Sequence, residues 1–134
     1  MNKKIALAAI GTVIAFGIGI SISQSIEIQE KYSKVFYFDA VFYEDKKYVE
    51  ITFSDDTQKT TNTVLEILGM EESFQKTFEG WNFKTTVPFE QEPEYGWKVV
   101  PVTLVVNHPE FGKVGIKTEI HKEGMQGKVI FSQL

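Results

Sequence analysis

Apolar side chains recur at every second residue in one segment after another from Lys34 to the C-terminus. A strand directs successive side chains to opposite faces, whereas a helix repeats every 3.6 residues. Polar turn sequences separate these segments roughly every ten residues, a spacing typical of short antiparallel strands. The pattern predicts an all-β domain of roughly seven or eight strands, folded as an antiparallel β-sandwich of immunoglobulin-like architecture or as a small barrel.

The first of these segments, residues 35–43, is apolar on both faces apart from Asp39. A strand of this kind is either central in its sheet or in contact with a partner. The polar turn at 44–47 predicts a hairpin with a second strand at 49–53.

Three later segments carry their own expectations. The Thr- and Val-rich stretch 60–69 favours a strand over a helix. Residues 97–107 give the strongest strand signal, and Pro101 predicts an edge position or a bulge there because proline has no N–H to donate. Residues 113–121 alternate as one further strand, which places His121 at its end.

The chain begins with an apolar segment, since no charged residue occurs from Ile5 to Ile26. A membrane-spanning helix needs roughly 20 apolar residues, whereas the core of a signal peptide has roughly 7–15. Lys3 and Lys4 precede the run and Glu27 follows it, which predicts a cytoplasmic N-terminus and a domain outside the cell membrane. The predicted organisation is an anchor or signal segment at 1–26, a short linker at 27–33 and an exported domain at 34–134.

Two further features of the apolar segment bear on its fate. Small residues at 21 and 23 fit a signal peptidase site before Gln24, so cleavage after Ser23 and secretion is the alternative to anchoring. Small residues also recur every fourth position, which on a helix forms a stripe that allows close contact with a second helix; they are Gly11, Ala15, Gly19 and Ser23.

Composition excludes several classes of function. The chain has no Cys, which removes disulfides, thiol catalysis, Cys-based zinc sites and blue-copper centres. It has no Arg, and beyond the apolar segment 12 Lys against 18 acidic residues give a net charge of −6. A negative domain without Arg is a poor partner for nucleic acid or phosphate groups. We expect no nucleic-acid binding and no cofactor.

Few side chains suggest chemistry. His108 and His121 are each expected to be solvated surface residues, too far apart to share a metal. With Met125, they are the weak candidates for a metal site, and the specific hypothesis is a copper site formed by His121 and Met125. The paired acids, Asp55-Asp56 among them, are expected in solvated turns.

Aromatic residues remain as candidates for protein binding, because exposed aromatics commonly anchor an interface. The candidates are Tyr95, Trp97 and Trp81, although packing in the core is favoured for such residues. No catalytic motif is present in the sequence, so an enzyme is not expected. The leading hypothesis is a non-enzymatic, membrane-anchored interaction module or accessory subunit, whose partner is another membrane or envelope protein.

Two alternatives stay open. One is an extracytoplasmic copper carrier. The other is a structural filament subunit, because Lys3-Lys4 before an apolar run is similar to the processing region of pilin-like and archaellin-like proteins, which join an apolar N-terminal helix to a β-domain. The chain departs from that pattern in two places: no Gly or Ala directly follows Lys4, and residues 25–29 alternate like a strand, which would end the helix early.

Overall fold

A computed structural model describes residues 22–134, with the backbone alone described for 22–25. Within these residues, one helix, α1 (Ile22–Ser33), precedes nine strands. The strands are β1 (Phe36–Tyr43), β2 (Tyr48–Asp55), β3 (Asn62–Ile67), β4 (Phe74–Glu79), β5 (Asn82–Pro88), β6 (Val102–His108), β7 (Gly112–Thr118), β8 (His121–Lys122) and β9 (Val129–Gln133).

The strands form two sheets. One has the order β5-β2-β1-β8 and the other the order β4-β3-β6-β7-β9. All neighbours are antiparallel except β1 and β8, which pair in parallel at Val41 and Phe42. This arrangement confirms a mostly-β fold with two sheets, as a β-sandwich requires. The β1–β2 hairpin and the strand within residues 60–69 are also confirmed.

The core lies between the two sheets and is built by the alternation read from the sequence. Phe36, Phe38, Ala40 and Phe42 point inward from β1 and are buried. They belong to the same apolar cluster as inward residues of β3, β6 and β7, such as Leu65, Leu104 and Ile116. On the far side, Phe78 of β4 stacks on Phe83 of β5 with ring centroids 4.0 Å apart, joining the two sheets at that edge.

The stretch before the first strand differs from expectation. Residues 25–29 are helical, so the strand-like alternation seen there was misleading, and α1 also includes the predicted linker 27–33. Tertiary contacts override the local pattern: Tyr32 is buried against Phe36 and Phe131, and its hydroxyl donates to Gln133. The helix is therefore packed against the sandwich.

Gln29 fixes this helix to the edge of the second sheet. Its side-chain amide donates to the Phe131 carbonyl oxygen at 2.6 Å and accepts from the Phe131 N–H at 2.7 Å. The side chain thus takes the place of a neighbouring strand at β9, whose outer edge would otherwise present these groups to water.

Residues 97–107 are a strand only in their second half. Trp97–Val99 form a single 3-10 turn, because the Trp97 ring packs into the core against Phe42 and Phe89. Pro101 precedes β6, and β6 lies between β3 and β7, so the edge position predicted from this proline is wrong. Gly69 permits the close packing here, since a Cβ at that position would lie 2.0 Å from the Val99 carbonyl oxygen.

His121 does not end the strand that begins near residue 113. β7 stops at Thr118, and the buried side chain of Ile120 marks the crossing of the chain to the other sheet, where His121 pairs with Val41 in β8. The alternating pattern at residues 113–121 does not indicate that these residues are divided between two sheets.

The predicted membrane segment lies almost wholly outside the described residues. Gly11, Ala15 and Gly19 fall outside them, and for Ser23 only the backbone is described, in the first turn of α1. Within residues 22–134, no helix has the length and apolar character needed to cross a membrane.

We expect Gln29→Ala to lower the free energy of unfolding by about 1–2 kcal/mol, because two hydrogen bonds to Phe131 are lost and its N–H and C=O remain only partly solvated. Urea denaturation of the full chain in detergent, followed by tryptophan fluorescence, measures the change. The control is Glu27→Ala, which removes an exposed side chain from the same helix. Equal stability of the two variants would contradict the assigned role.

Candidate functional site

A groove of about 460 Å³ opens between the first half of β1 and strand β9. We call it the β1 groove; its lining residues are Ser33, Phe36, Tyr37, Phe38, Asp39, His121, Met125, Gln126, Gly127, Val129 and Phe131. The end of α1 closes one end and the loop before β9 forms one wall. It therefore lies where the edges of the two sheets face each other.

The β1 side of the groove is an open strand edge. In an antiparallel ladder, alternate residues direct both backbone groups to the same neighbour. Asp55 donates its N–H to Trp81, away from β1, so its register partner Phe36 directs its own groups away from β2. Phe38 follows in the same alternation. Since β8 pairs with β1 only from Val41 onward, the N–H and C=O groups of Phe36 and Phe38 face the groove.

An acid–imidazole pair stands on the rim of the groove. His121 Nε2 lies 2.6 Å from Asp39 Oδ1, and Nδ1 lies 2.8 Å from the Lys122 carbonyl oxygen. Both neighbours are hydrogen-bond acceptors, so whichever ring nitrogen carries a proton has a partner to donate to. Tyr37 approaches the other Asp39 oxygen at 3.5 Å, and burial together with the Asp39 charge raises the pKa of this tyrosine.

The groove also brings two of the metal candidates together. His121 and Met125 both line it, and Met125 is 62% exposed. Within residues 22–134, however, no three His, Asp or Glu side chains converge as metal ligands do. A metal at His121 would have to displace Asp39 or the Lys122 carbonyl, since these occupy both ring nitrogens.

His108 lies elsewhere and is not a surface residue, contrary to expectation. It is only 4% exposed and stacks on the Phe111 ring at 4.3 Å. Its Nδ1 accepts the backbone N–H of Glu110 at 3.1 Å, so the proton of the neutral ring is on Nε2. Nε2 lies 2.9 Å from the Thr57 hydroxyl. The imidazole therefore joins the β6–β7 turn to the loop after β2.

Asp55 is the centre of that loop and is fully buried, whereas the sequence placed it in a solvated turn. Five hydrogen bonds reach its carboxylate, from the backbone and hydroxyl groups of Thr57 and Thr60 and from the backbone of Lys59. Burial alone would raise the pKa of Asp55, but the bonds from Thr60 and Thr57 outweigh it and hold this pKa below its ordinary value.

The order of the groups in this cluster differs from that of a nucleophilic triad. In a nucleophilic triad the imidazole lies between the hydroxyl and the carboxylate. Here the Thr57 hydroxyl donates to Asp55 and lies between it and His108, and both His108 and Asp55 are buried. An Asp followed by Thr two residues later is typical of a turn in which the Asp side chain caps the backbone, and that signal could have identified the loop from sequence.

Glu66 is a second buried acid, and the sequence did not predict its burial. Glu66 lies on β3 and is buried, and its Oε1 has no hydrogen-bond partner among the described residues. Burial raises the pKa of this carboxyl. Nothing in the alternating pattern distinguishes it from an exposed acid on the outer face of a sheet.

The three aromatic candidates do not form one surface. Tyr95 is 74% exposed on its loop, Trp97 is buried, and Trp81 is partly buried beside the β4–β5 turn. The exposed aromatic residue that does border a cavity is Tyr37, which is 55% exposed on the rim of the β1 groove.

Comparison of this chain with protein-family models, with curated proteins and with solved structures yields no match.

We expect Asp55→Asn to lower the free energy of unfolding by about 2–3 kcal/mol at pH 7, because an amide offers a single acceptor oxygen to donors that now meet a carboxylate. The folded-state pKa of Asp55 lies below the unfolded one, so its stabilisation is present above the unfolded pKa and is lost as pH falls through the folded pKa. Urea denaturation from pH 7 to pH 3 should show a weaker acid dependence in the variant.

The matched control is Asp56→Asn, at the exposed neighbouring acid. If both variants lost stability equally, or if Asp55→Asn kept the acid dependence of the original chain, the capping role of Asp55 would be wrong.

Glu66→Gln should have the opposite pH dependence. The pKa of Glu66 is raised in the folded chain, so ionisation opposes folding as pH rises above the unfolded value of about 4.3. We expect the variant to be more stable than the original chain at pH 7, with the difference shrinking as pH falls toward 4. Glu79→Gln, at an exposed position, should show no such trend; a constant difference would exclude ionisation as the cause.

Proposed function

We propose that this protein is a non-enzymatic interaction module, held at the outer face of a membrane by its N-terminal segment, that acts as an accessory subunit of a membrane or envelope complex. The observation that carries the proposal is the attachment of α1. Residues 22–26 belong both to the uncharged run and to the described helix, and Gln29 and Tyr32 fix this helix to the sandwich.

This attachment matters because it removes the flexible linker that an independent tethered domain would have. A membrane segment that continues into a docked helix would hold the domain in one orientation relative to the bilayer. Such an orientation suits a subunit whose binding surface must meet a fixed neighbour. The two-sheet scaffold supports an immunoglobulin-like description of the architecture, which many cell-surface domains share.

The non-enzymatic part of the proposal draws on how the two histidines are engaged. The acid–imidazole pair on the groove rim has no hydroxyl or thiol nucleophile within its hydrogen bonds apart from the phenol of Tyr37, at 3.5 Å from Asp39. The other histidine is engaged in a buried turn.

A filament subunit is the second candidate, and one observation favours it. The helix continues to Ser33, so one of the two departures from pilin-like and archaellin-like proteins no longer applies. The other departure stands, because Ile5 rather than Gly or Ala follows Lys4.

Intact mass spectrometry of the protein purified from its own membranes separates these fates. We expect an intact N-terminus, because the uncharged run is longer than the core of a signal peptide. A chain starting at Gln24 would indicate a secreted domain, and one starting at Ile5 would indicate the filament subunit. Carbonate extraction is the companion test, since an anchored chain stays in the membrane pellet.

Blue-native electrophoresis of gently solubilised membranes tests the accessory role. We expect the chain to migrate in a complex well above its own 15.3 kDa, and to return to the monomer position after treatment with sodium dodecyl sulfate. Migration as a monomer under gentle conditions would contradict the proposal.

A further inference from the structure

We propose that the β1 groove receives an extended peptide segment of another protein, which adds to β1 as a new strand. This inference rests on the proposed function, since it names the surface by which the module contacts its partner. The kind of recognition is strand addition, in which backbone hydrogen bonds supply affinity and alternate side chains supply selectivity.

The first argument is the unused hydrogen-bonding capacity of β1. Phe36 and Phe38 direct their N–H and C=O groups into the groove, and none of these bonds to another described residue. Their side chains are buried in the core. The groove therefore offers a row of backbone donors and acceptors, which only another extended backbone matches in spacing.

The second argument is the contrast between the two edges that face each other. At β9, Gln29 covers the backbone of Phe131 with two hydrogen bonds. At β1, the two-residue strand β8 covers Val41 and Phe42 and leaves the first half open. Proteins commonly cover or charge a long apolar edge, because it invites pairing with other chains. This edge carries neither device along residues 36–38.

The shape of the groove selects a single strand. The loop 125–127, strand β9 and the end of α1 rise around the open edge of β1. A second copy of this domain would have to insert its whole sheet edge into the groove, and the loop, strand and helix around its own groove would clash with the first copy. One extended segment needs far less width, and five residues of it, facing 36–40, span roughly 16 Å.

The chain's own N-terminal segment is a poorer occupant. Residues 5–21 belong to the predicted membrane segment, and a location in the bilayer would keep them away from the groove. The occupant we infer is therefore a segment of a partner protein.

The rim indicates the side chains such a segment would carry. Residues pointing inward would lie over Phe131 and Val129 and should be apolar. Residues pointing outward would lie beside Tyr37, Asp39 and Met125. Tyr37 and Met125 are 55% and 62% exposed, and an aromatic ring and a flexible thioether both adapt to varied side chains. We infer a segment that alternates apolar residues with polar ones, because its outward residues face the exposed rim, and a Lys fits near Asp39.

A strand tethered to the chain tests whether the groove accepts an added strand, and the test does not require the partner to be identified. The C-terminus lies near the Phe36 end of the groove. The last strand places the Phe131 ring 6.5 Å from the Phe36 ring, and Gln133, one residue before the C-terminus, accepts a hydrogen bond from the Tyr32 hydroxyl. The full chain is extended by a 12-residue Gly-Ser linker, which reaches about 19 Å, and by a seven-residue strand of alternating Val and Thr. Tethering gives an effective concentration of about a millimolar.

Amide exchange in detergent, followed by NMR, reports the result. We expect exchange at Phe36 and Phe38 to slow by about tenfold or more, with no change at Tyr37 and Asp39, whose groups already face β2. The control carries prolines at alternate positions of the added strand, which removes its donors. Equal exchange in the two fusions would overturn the proposal.

The chain without an added strand supplies further outcomes. Slow exchange at Phe36 and Phe38 that depends on protein concentration would assign the groove to a second copy. Slow exchange that does not depend on concentration would assign it to the chain's own N-terminal segment. Either result would overturn the inference.

Blue-native electrophoresis of membranes holding the fusions separates this inference from the proposed function. If the original chain migrates in a complex, the Val-Thr fusion should lose that complex and the proline fusion should keep it. A complex that survives the Val-Thr fusion means that the partner uses another surface, and it overturns the inference alone. A monomer in the original chain overturns the proposed function, while the exchange experiment still reports on the groove.

Discussion

Four aromatic rings meet at one corner of the sandwich, and their contact joins the helix to both sheets. Tyr32 lies 5.3 Å from Phe111, 5.8 Å from Phe36 and 6.3 Å from Phe131, measured between ring centroids. These rings belong to α1, the β6–β7 turn, β1 and β9. Pairs of this kind contribute about 0.5–1.5 kcal/mol each beyond their buried area. Their contact sets Gln29 beside Phe131 and ends the helix at the groove.

The two buried carboxylates show how differently this domain treats a charge removed from water. Asp55 has five donors around it, and its charge is stabilised by the loop that it organises. Glu66 has an oxygen without a partner in the described part of the chain, and burial favours its neutral form. The first acid stabilises the fold when it is ionised and the second when it is protonated, so the two contribute opposite slopes to stability as pH changes.

The sequence predicts the strands well because their cause is local, and predicts the site poorly because its cause is not. Inward apolar residues at every second position favour a strand wherever a core covers them, and β1 and β2 follow that rule. The helix at 22–33 depends instead on Tyr32 meeting rings about 80 to 100 residues away along the chain. His121 meets Asp39 only because β8 crosses to the other sheet. Spacing along the chain carries no record of either contact.

The apolar character of both β1 faces acquires a meaning once the sheet order is known. A strand apolar on both faces suits the middle of a sheet, yet among the described strands β1 has a full neighbour on one side only. The sequence of β1 is therefore typical of a central strand, whereas its hydrogen bonding at residues 36–38 is that of an edge strand. A partner strand at Phe36 and Phe38 would remove this conflict, since it would make β1 central along its whole length. On this proposal, Gln29 satisfies the backbone groups at the edge of β9, while the edge of β1 stays free to pair with the partner strand.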